Sequence, residues 1–159
     1  MGSEIQLRDV RENDLPIFYE QGREPAAVHM AAFTAEDPSD WEAFQVHWAK
    51  IMADENILIQ TLLFEGRVVG HIASFERFGD LEVTYWLGKE FWGKGLATQA
   101  LQAFVEIQKT RPLFARAAKD NAASIRVLEK CGFKISGHDK FFANARDQEI
   151  EEVILKLSS

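Results

Sequence analysis

Cysteine is almost absent from this sequence, which has a single one, at position 131, among 159 residues. One cysteine excludes a disulfide framework and a metal site made of cysteines alone, and it is compatible with a reducing cytoplasm. Proline and glycine are few, at 4 and 10, and lie singly between periodic segments, so we expect one domain over residues 1–159. The 4 histidines show no spacing typical of metal ligands, and we expect no metal.

Long apolar runs are also missing. No window approaches the roughly 20 apolar residues that a membrane span requires, and charges interrupt the first ten residues, so we expect no secretory leader. Basic residues are outnumbered by acidic ones, 18 to 25, and the net charge of −7 argues against a protein whose main ligand is nucleic acid. We therefore expect a cytoplasmic protein with no membrane or nucleic-acid partner. An apolar fraction of 47% allows a sizeable core.

The order of periodic segments predicts a mixed α/β sheet. A strand over 4–10 precedes helical segments, one of which Ser39 and Glu42 would open as a capping box. The stretch 22–36 is compatible with either helix or loop. Two strands joined by a tight turn and a strictly alternating strand over 81–87 follow, and helices then alternate with strands. The predicted order is β-α-α-β-β-β-α-β-α-β-β, with antiparallel hairpins before the βαβ alternation.

The segment after the alternating strand is the most informative one chemically. It reads Gly-Lys-Gly-Leu-Ala-Thr over 93–98 and opens a predicted helix. Small residues at a helix start leave backbone N–H groups unshielded, and these donors at the positive helix end suit a pyrophosphate. Three interpretations fit: a capped glycine turn, a dinucleotide-binding loop and a coenzyme A loop. The dinucleotide pattern is disfavoured, because its third glycine is missing and the segment follows an antiparallel meander.

Residues 81–133 resemble the core of the GNAT superfamily of acetyl-CoA-dependent N-acetyltransferases. The pyrophosphate loop of that family, Gln/Arg-x-x-Gly-x-Gly/Ala, falls on residues 92–97, with Trp92 in place of the usual Gln or Arg. This departure and the segment 121–133, with its Asn-x-x-Ser and Lys-x-Gly-Phe patterns, are typical of the Rim branch, which acetylates the N-termini of ribosomal proteins. The resemblance implies a GNAT fold, a mostly antiparallel central sheet flanked by helices. In that fold, parallel strands four and five splay apart and acetyl-CoA enters the gap.

The resemblance also implies contacts with the cofactor. The backbone of Trp86 and Leu87 would pair with the pantetheine arm, and Asn121 would reach the pantetheine or the edge of the cofactor. Arg126 and Lys130 are candidate partners for the phosphates, although a solvated helix face is the commoner role for each. The pyrophosphate would be held by backbone amides of the loop and first helical turn, those of Gly93, Lys94, Gly95, Leu96, Ala97 and Thr98.

Acyl transfer to an amine needs a base, because the amine is protonated at neutral pH, and a proton donor assists the departing thiolate. Glu82, on the opposite face of its strand from Val83, is the candidate base, as some family members carry Glu there; an ordinary exposed glutamate is the alternative. A partly apolar cleft would raise the pKa of this carboxyl. The tyrosine that acts as general acid in much of the superfamily is absent, since the chain has only Tyr19 and Tyr85. The resemblance suggests Ser124 in its place, and helix capping is the alternative role for that hydroxyl.

These observations together predict an acetyl-CoA-dependent N-acetyltransferase that moves the acetyl group directly to a primary amine. The resemblance favours the N-terminal amine of a protein or peptide as acceptor. A small amine, such as an amino acid, polyamine or antibiotic, is the alternative acceptor. A non-catalytic acyl-CoA sensor is a third possibility, which the missing tyrosine favours. Monomer and homodimer both stay open.

Overall fold

The computed structural model describes residues 4–31 and 37–159. Within these ranges the strands are Gln6–Asp9 (β1), Leu58–Phe64 (β2), Arg67–Arg77 (β3), Asp80–Leu87 (β4), Leu113–Ala118 (β5), Lys134–Ala143 (β6) and Gln148–Leu157 (β7). The α-helices are Leu15–Gln21 (α1), Pro25–Ala31 (α2), Trp41–Ala53 (α3), Leu96–Ile107 (α4) and Ala122–Lys130 (α5). The strands form one sheet in the order β1-β2-β3-β4-β5-β7-β6. The predicted mixed α/β architecture is confirmed.

Strands β4 and β5 are the one parallel pair of neighbours in the described sheet. Their ladder consists of a single pair of residues, Glu82 opposite Phe114. On its other side β4 pairs with β3 along its whole length, from Asp80 to Leu87. The two parallel strands therefore diverge toward their carboxyl ends, as predicted for strands four and five.

The alternation of β4 assigns its side chains to two layers. Val83 and Leu87 belong to the main core, which lies between the sheet and helices α4 and α5. On the other face, α1 and α3 contribute Phe18 and Trp48, whose ring centroids lie 4.8 and 4.9 Å from that of His71 on β3. The main core includes the buried residues Leu62, Val69, Ile72, Leu96, Ala100, Leu101, Phe104, Leu113, Leu128, Phe133, Val153 and Leu155.

Two helix starts differ from the sequence interpretation. Helix α2 forms within the stretch 22–36, whose sequence is compatible with either helix or loop, and residues 32–36 lie outside the described residues. Helix α3 is capped by Asp40, whose carboxylate accepts from the Ala43 N–H at 3.0 Å, so the capping box predicted from Ser39 and Glu42 is wrong and the N-cap lies one residue later. The Ser39 hydroxyl instead donates to Asp37. None of the described helices is long and apolar enough to cross a membrane.

Gly70 on β3 sets how closely β4 can approach. A Cβ at this position would lie 2.0 Å from the Trp86 carbonyl oxygen and 3.0 Å from its carbonyl carbon. Because both atoms are backbone, β4 would have to shift to admit any side chain. Glycine at position 70 therefore permits the close approach of β3 to the carboxyl half of β4, the part of the strand that diverges from β5.

Candidate active site

A ligand site is expected where β4 and β5 diverge. The two strands are parallel, so their carboxyl ends lie at the same edge of the sheet, where open α/β sheets bind ligands. Helix α4 follows β4 and α5 follows β5, which places the N-termini of both helices at this edge. The divergence also leaves the backbone of β4 beyond Glu82 without a ladder partner on the β5 side.

The loop before α4 presents backbone rather than side chains to this space. Gly93 and Gly95 have left-handed φ angles of 77° and 75°, and a Cβ at either would meet no protein atom within 4 Å. Gly95 is the N-cap of α4 and offers no side chain to the first amides, whereas α3 and α5 are capped by Asp40 and Asn121. These amides are free to donate to an anion. Leu96 is 1% exposed and belongs to the main core, so its side chain points away from this space.

Trp92, which stands where the family pattern has Gln or Arg, joins the loop to the end of β4. Its indole N–H donates to the Leu87 carbonyl at 3.1 Å. The indole N–H of Trp86 donates at the same distance to the Gln21 carbonyl at the end of α1. The side chains of both tryptophans thus fix the backbone of the strand and loop. The predicted pantetheine contacts of Trp86 and Leu87 stay predictions, and the Leu87 carbonyl already has an indole partner.

Asn121 is engaged at both ends of its side chain. Its Oδ1 accepts from the Ser124 N–H at 3.2 Å, which caps α5, and its Nδ2 donates to the Met30 carbonyl at 3.3 Å. Its role in this structure is thus to join α5 to α2, and its predicted contact with the cofactor stays a prediction. Arg126 and Lys130 are exposed on α5, and their contact with phosphates also stays a prediction.

The Ser124 hydroxyl is paired with a tyrosine. Its Oγ lies 3.0 Å from the hydroxyl oxygen of Tyr85, which projects from β4 toward α5. The capping role considered for this hydroxyl is therefore wrong, because Asn121 caps the helix. Burial raises the pKa of Tyr85, although the hydrogen bond with Ser124 opposes the shift. Sequence analysis assigned Tyr85 only to the alternating pattern of β4 and missed this pair.

Glu82 is buried, so the interpretation as an ordinary exposed strand glutamate is wrong. It is 3% exposed, and its Oε2 accepts from the Arg116 Nε at 2.9 Å. Burial raises the pKa of Glu82 above its usual value, and the neighbouring guanidinium opposes that rise. The guanidinium also donates to Glu152 at 2.7 Å and Asp139 at 3.3 Å. Sequence analysis missed Arg116, although a charge within the apolar segment of β5 was a signal for a buried partner.

Three carboxylates surround Arg116, and Arg77 is a second guanidinium near them, so this face of the sheet carries a net negative charge. Glu152 is buried like Glu82, and Asp139 is more exposed. The stacked rings of Phe78 and Phe141, with centroids 6.0 Å apart, border the guanidinium of Arg116. Such a surface attracts a cationic amine. Within residues 4–31 and 37–159, no group of three histidine, cysteine or carboxylate side chains is arranged to hold a metal ion.

A family model described as the acetyltransferase (GNAT) domain matches residues 4–134. The chain belongs to the GNAT acetyltransferase family. This GNAT protein is an acetyltransferase with acetyl-CoA as its donor, so the predicted family, enzyme class and cofactor are confirmed. It is 31% identical over 133 residues to a Bacillus subtilis (strain 168) protein named "Putative ribosomal N-acetyltransferase YdaF", an alignment that covers 74% of this chain and 72% of that protein.

Solved structures of other acetyltransferases share the fold of this GNAT domain. The microcin C7 self-immunity acetyltransferase MccE, in complex with acetyl-CoA and AMP, has a TM-score of 0.80 at 17% identity, covering 98% of this chain and 93% of that chain. Spermidine N-acetyltransferase from Vibrio cholerae, in complex with CoA and spermine, has a TM-score of 0.78 at 18% identity, with 97% and 96% coverage. Mycobacterium smegmatis RimJ, in complex with CoA-disulfide, has the same TM-score and identity, with 99% and 83% coverage.

Proposed function

We propose that the whole chain acts as one GNAT domain in the cytoplasm and transfers the acetyl group of acetyl-CoA directly to the N-terminal amine of a protein or peptide. The single-pair ladder between β4 and β5 carries this proposal. It leaves a strand edge with which the extended pantetheine arm can pair, and the uncapped amides of α4 lie beyond it for the pyrophosphate. The relative from Bacillus subtilis, named a ribosomal N-acetyltransferase, supports the acceptor class.

Glu82 is the proposed base for the acceptor amine. It lies at the last paired position of β4 and β5, on the face opposite the main core. The amine arrives as an ammonium ion and must lose a proton before its nitrogen attacks the thioester carbon. Burial makes the Glu82 carboxylate a better proton acceptor than a solvated one, while Arg116 keeps it oriented. Both effects are compatible with a buried base that is held in one orientation.

The remaining steps use β4 and α5. A backbone N–H of β4 beyond Glu82 is available to donate to the tetrahedral oxyanion. When the intermediate collapses, the carbon–sulfur bond breaks and its electron pair stays on sulfur. The Ser124 hydroxyl is the proposed donor toward that sulfur.

A small cationic amine is the second candidate acceptor, and one observation favours it. The carboxylates of Glu82, Asp139 and Glu152 outnumber the neighbouring guanidiniums of Arg116 and Arg77, and this net negative charge favours a cationic acceptor. The V. cholerae enzyme of the same fold, named a spermidine N-acetyltransferase, shows that this fold accommodates a polyamine.

Thiol release from acetyl-CoA, combined with mass spectrometry of the acceptor, distinguishes the candidates. The acceptors are a lysine-free peptide with a free α-amine, a peptide with a blocked α-amine and one lysine, and spermidine. We expect the first to be acetylated. Acetylation of spermidine alone would assign the small-amine function. Calorimetric binding of acetyl-CoA with no turnover of any acceptor would assign a sensor.

A further inference from the structure

The hydrogen bond between Tyr85 and Ser124 crosses the cleft between β4 and α5. The two residues are 39 positions apart in the sequence, and both are half-buried. Tyr85 lies on the half of β4 that has left β5, and Ser124 lies in the first turn of the helix that follows β5. The pair therefore spans the opening into which the parallel strands diverge.

The backbone of Ser124 is held in place independently of this bond. Its N–H donates to Oδ1 of Asn121, and the amide of that side chain donates to the Met30 carbonyl. The serine oxygen is thus presented to Tyr85 from a capped helix turn. Only the direction of the hydrogen atoms between the two hydroxyls is left open by the heavy-atom geometry.

Acidity decides the direction of this hydrogen bond. A phenol is a stronger acid than an aliphatic alcohol, so the phenolic O–H is the better donor of the two. Burial raises the pKa of Tyr85, and the nearby Cys131 adds to the shift, which keeps the phenol protonated at neutral pH. Acidity thus favours Tyr85 as the donor and Ser124 as the acceptor. The serine hydrogen is left free to point at a third atom in the cleft.

We infer that Tyr85 is a positioning residue for departure of the coenzyme A thiolate, because it donates to Ser124 and thereby directs the serine hydrogen toward the sulfur. This inference rests on the proposed function. As the carbon–sulfur bond breaks, its electron pair stays on sulfur and accepts a hydrogen bond from Ser124. No proton changes place along the two hydroxyls, and water protonates the thiolate afterwards. A hydroxyl that accepts from a phenol is itself a stronger donor, so Tyr85 strengthens the contact it directs.

The test compares Tyr85→Phe, Ser124→Ala, the double variant and wild type, with Tyr19→Phe as the matched control. Tyr19 is the other tyrosine of the chain, and its hydroxyl donates to the Ser39 carbonyl. We expect Tyr85→Phe to lower kcat about tenfold and Ser124→Ala to lower it about ten- to a hundredfold. The double variant should be no slower than Ser124→Ala alone, because Tyr85 acts through the serine. Tyr19→Phe should match wild type.

Three further measurements separate positioning from folding. Melting temperature, the Kd for acetyl-CoA and KM for the acceptor should all hold in Tyr85→Phe while kcat falls. An unchanged kcat in folded Tyr85→Phe overturns the inference, as do additive losses in the double variant. A loss of kcat that follows the melting temperature or the Kd also overturns it. A wild-type protein that releases no thiol with any amine overturns the proposed function, and the inference with it.

Discussion

Replacing Gly95 with alanine tests whether the loop before α4 holds the pyrophosphate. The residue has a φ of 75°, and a Cβ there would meet no protein atom within 4 Å. The added methyl group therefore clashes with nothing in the protein itself. It enters the space in front of the uncapped amides, which is where the proposed ligand lies. Any loss of acetyl-CoA affinity has two sources only, the methyl group in the ligand's space and the strain of a left-handed backbone.

Each source has a magnitude. Left-handed φ costs an alanine about 1–2 kcal/mol, which for a protein of this length lowers the melting temperature by about 2–8 °C. A hydrogen bond to a charged group contributes about 1.5–3 kcal/mol, so loss of one between the loop and a phosphate weakens binding by about tenfold or more. The first quantity is read from thermal unfolding and the second from calorimetry with acetyl-CoA.

Gly66→Ala is the matched control. Gly66, in the turn between β2 and β3, has a φ of 77°, and a Cβ there would also meet nothing within 4 Å. The melting temperature should fall by the same amount in both variants, because the backbone strain is the same. Only Gly95→Ala should lose affinity, and Gly95→Val should lose more. Wild-type affinity in a folded Gly95→Val protein would refute the assignment of the loop.

Three other perturbations test the base, a buried histidine and a close strand contact. Glu82→Gln should keep acetyl-CoA affinity, lower turnover by roughly 10²–10⁴ and remove the acidic limb of the pH–rate profile; full activity with an unaltered profile would show that Glu82 is not the base. Burial lowers the pKa of His71 to about 4, below its unfolded value of 6.5, so stability should fall by about 3 kcal/mol from pH 6.5 to 4. Urea unfolding should show this loss in wild type and its absence in His71→Leu; equal losses would contradict it. Gly70→Ala should lower the melting temperature and acetyl-CoA affinity together, because its Cβ meets the Trp86 backbone; a change in neither would mean that β4 shifts freely.

The fold could be predicted in large part because its elements are locally specified. Strict alternation over 81–87 and the glycines at 93 and 95 mark β4 and the start of α4, and the structure has both. Helix α2 could not be assigned, since seven residues that begin with Pro25 carry too little periodicity to distinguish helix from loop. Its C-terminal carbonyls find their partners elsewhere, in the side chains of Asn121 and Arg146. Such contacts are tertiary, and local patterns do not report them.

Strand alternation predicted the position of Glu82 but not the hydrogen-bond partner of Tyr85. The alternation correctly placed Glu82 on the face away from the main core, because period two holds along any strand. It also placed Tyr85 on the core face of β4, where the pattern counts a tyrosine only as an apolar side chain. What it could not give was the partner of the phenol, because Ser124 belongs to a helix beyond the next strand. The tyrosine absent from its usual place in the family was therefore not sought on β4.

Arg116 is a residue for which the sequence indicates a buried partner without identifying it. Its partners Glu82, Asp139 and Glu152 are 34, 23 and 36 residues away, and they lie on three different strands. Burial of an ion pair is costly, and removal of one partner leaves an uncompensated charge, so an arginine inside the apolar segment Leu113–Ala118 indicates that a carboxylate faces it. The chain has 25 acidic residues, and nothing local selects among them. The selection is made by the sheet order, which sets β5 between β4 and β7 and thereby brings a base candidate, its guanidinium and a second buried carboxylate to one point. The sequence thus indicates that Arg116 requires a carboxylate partner, whereas the sheet topology determines which carboxylates those are.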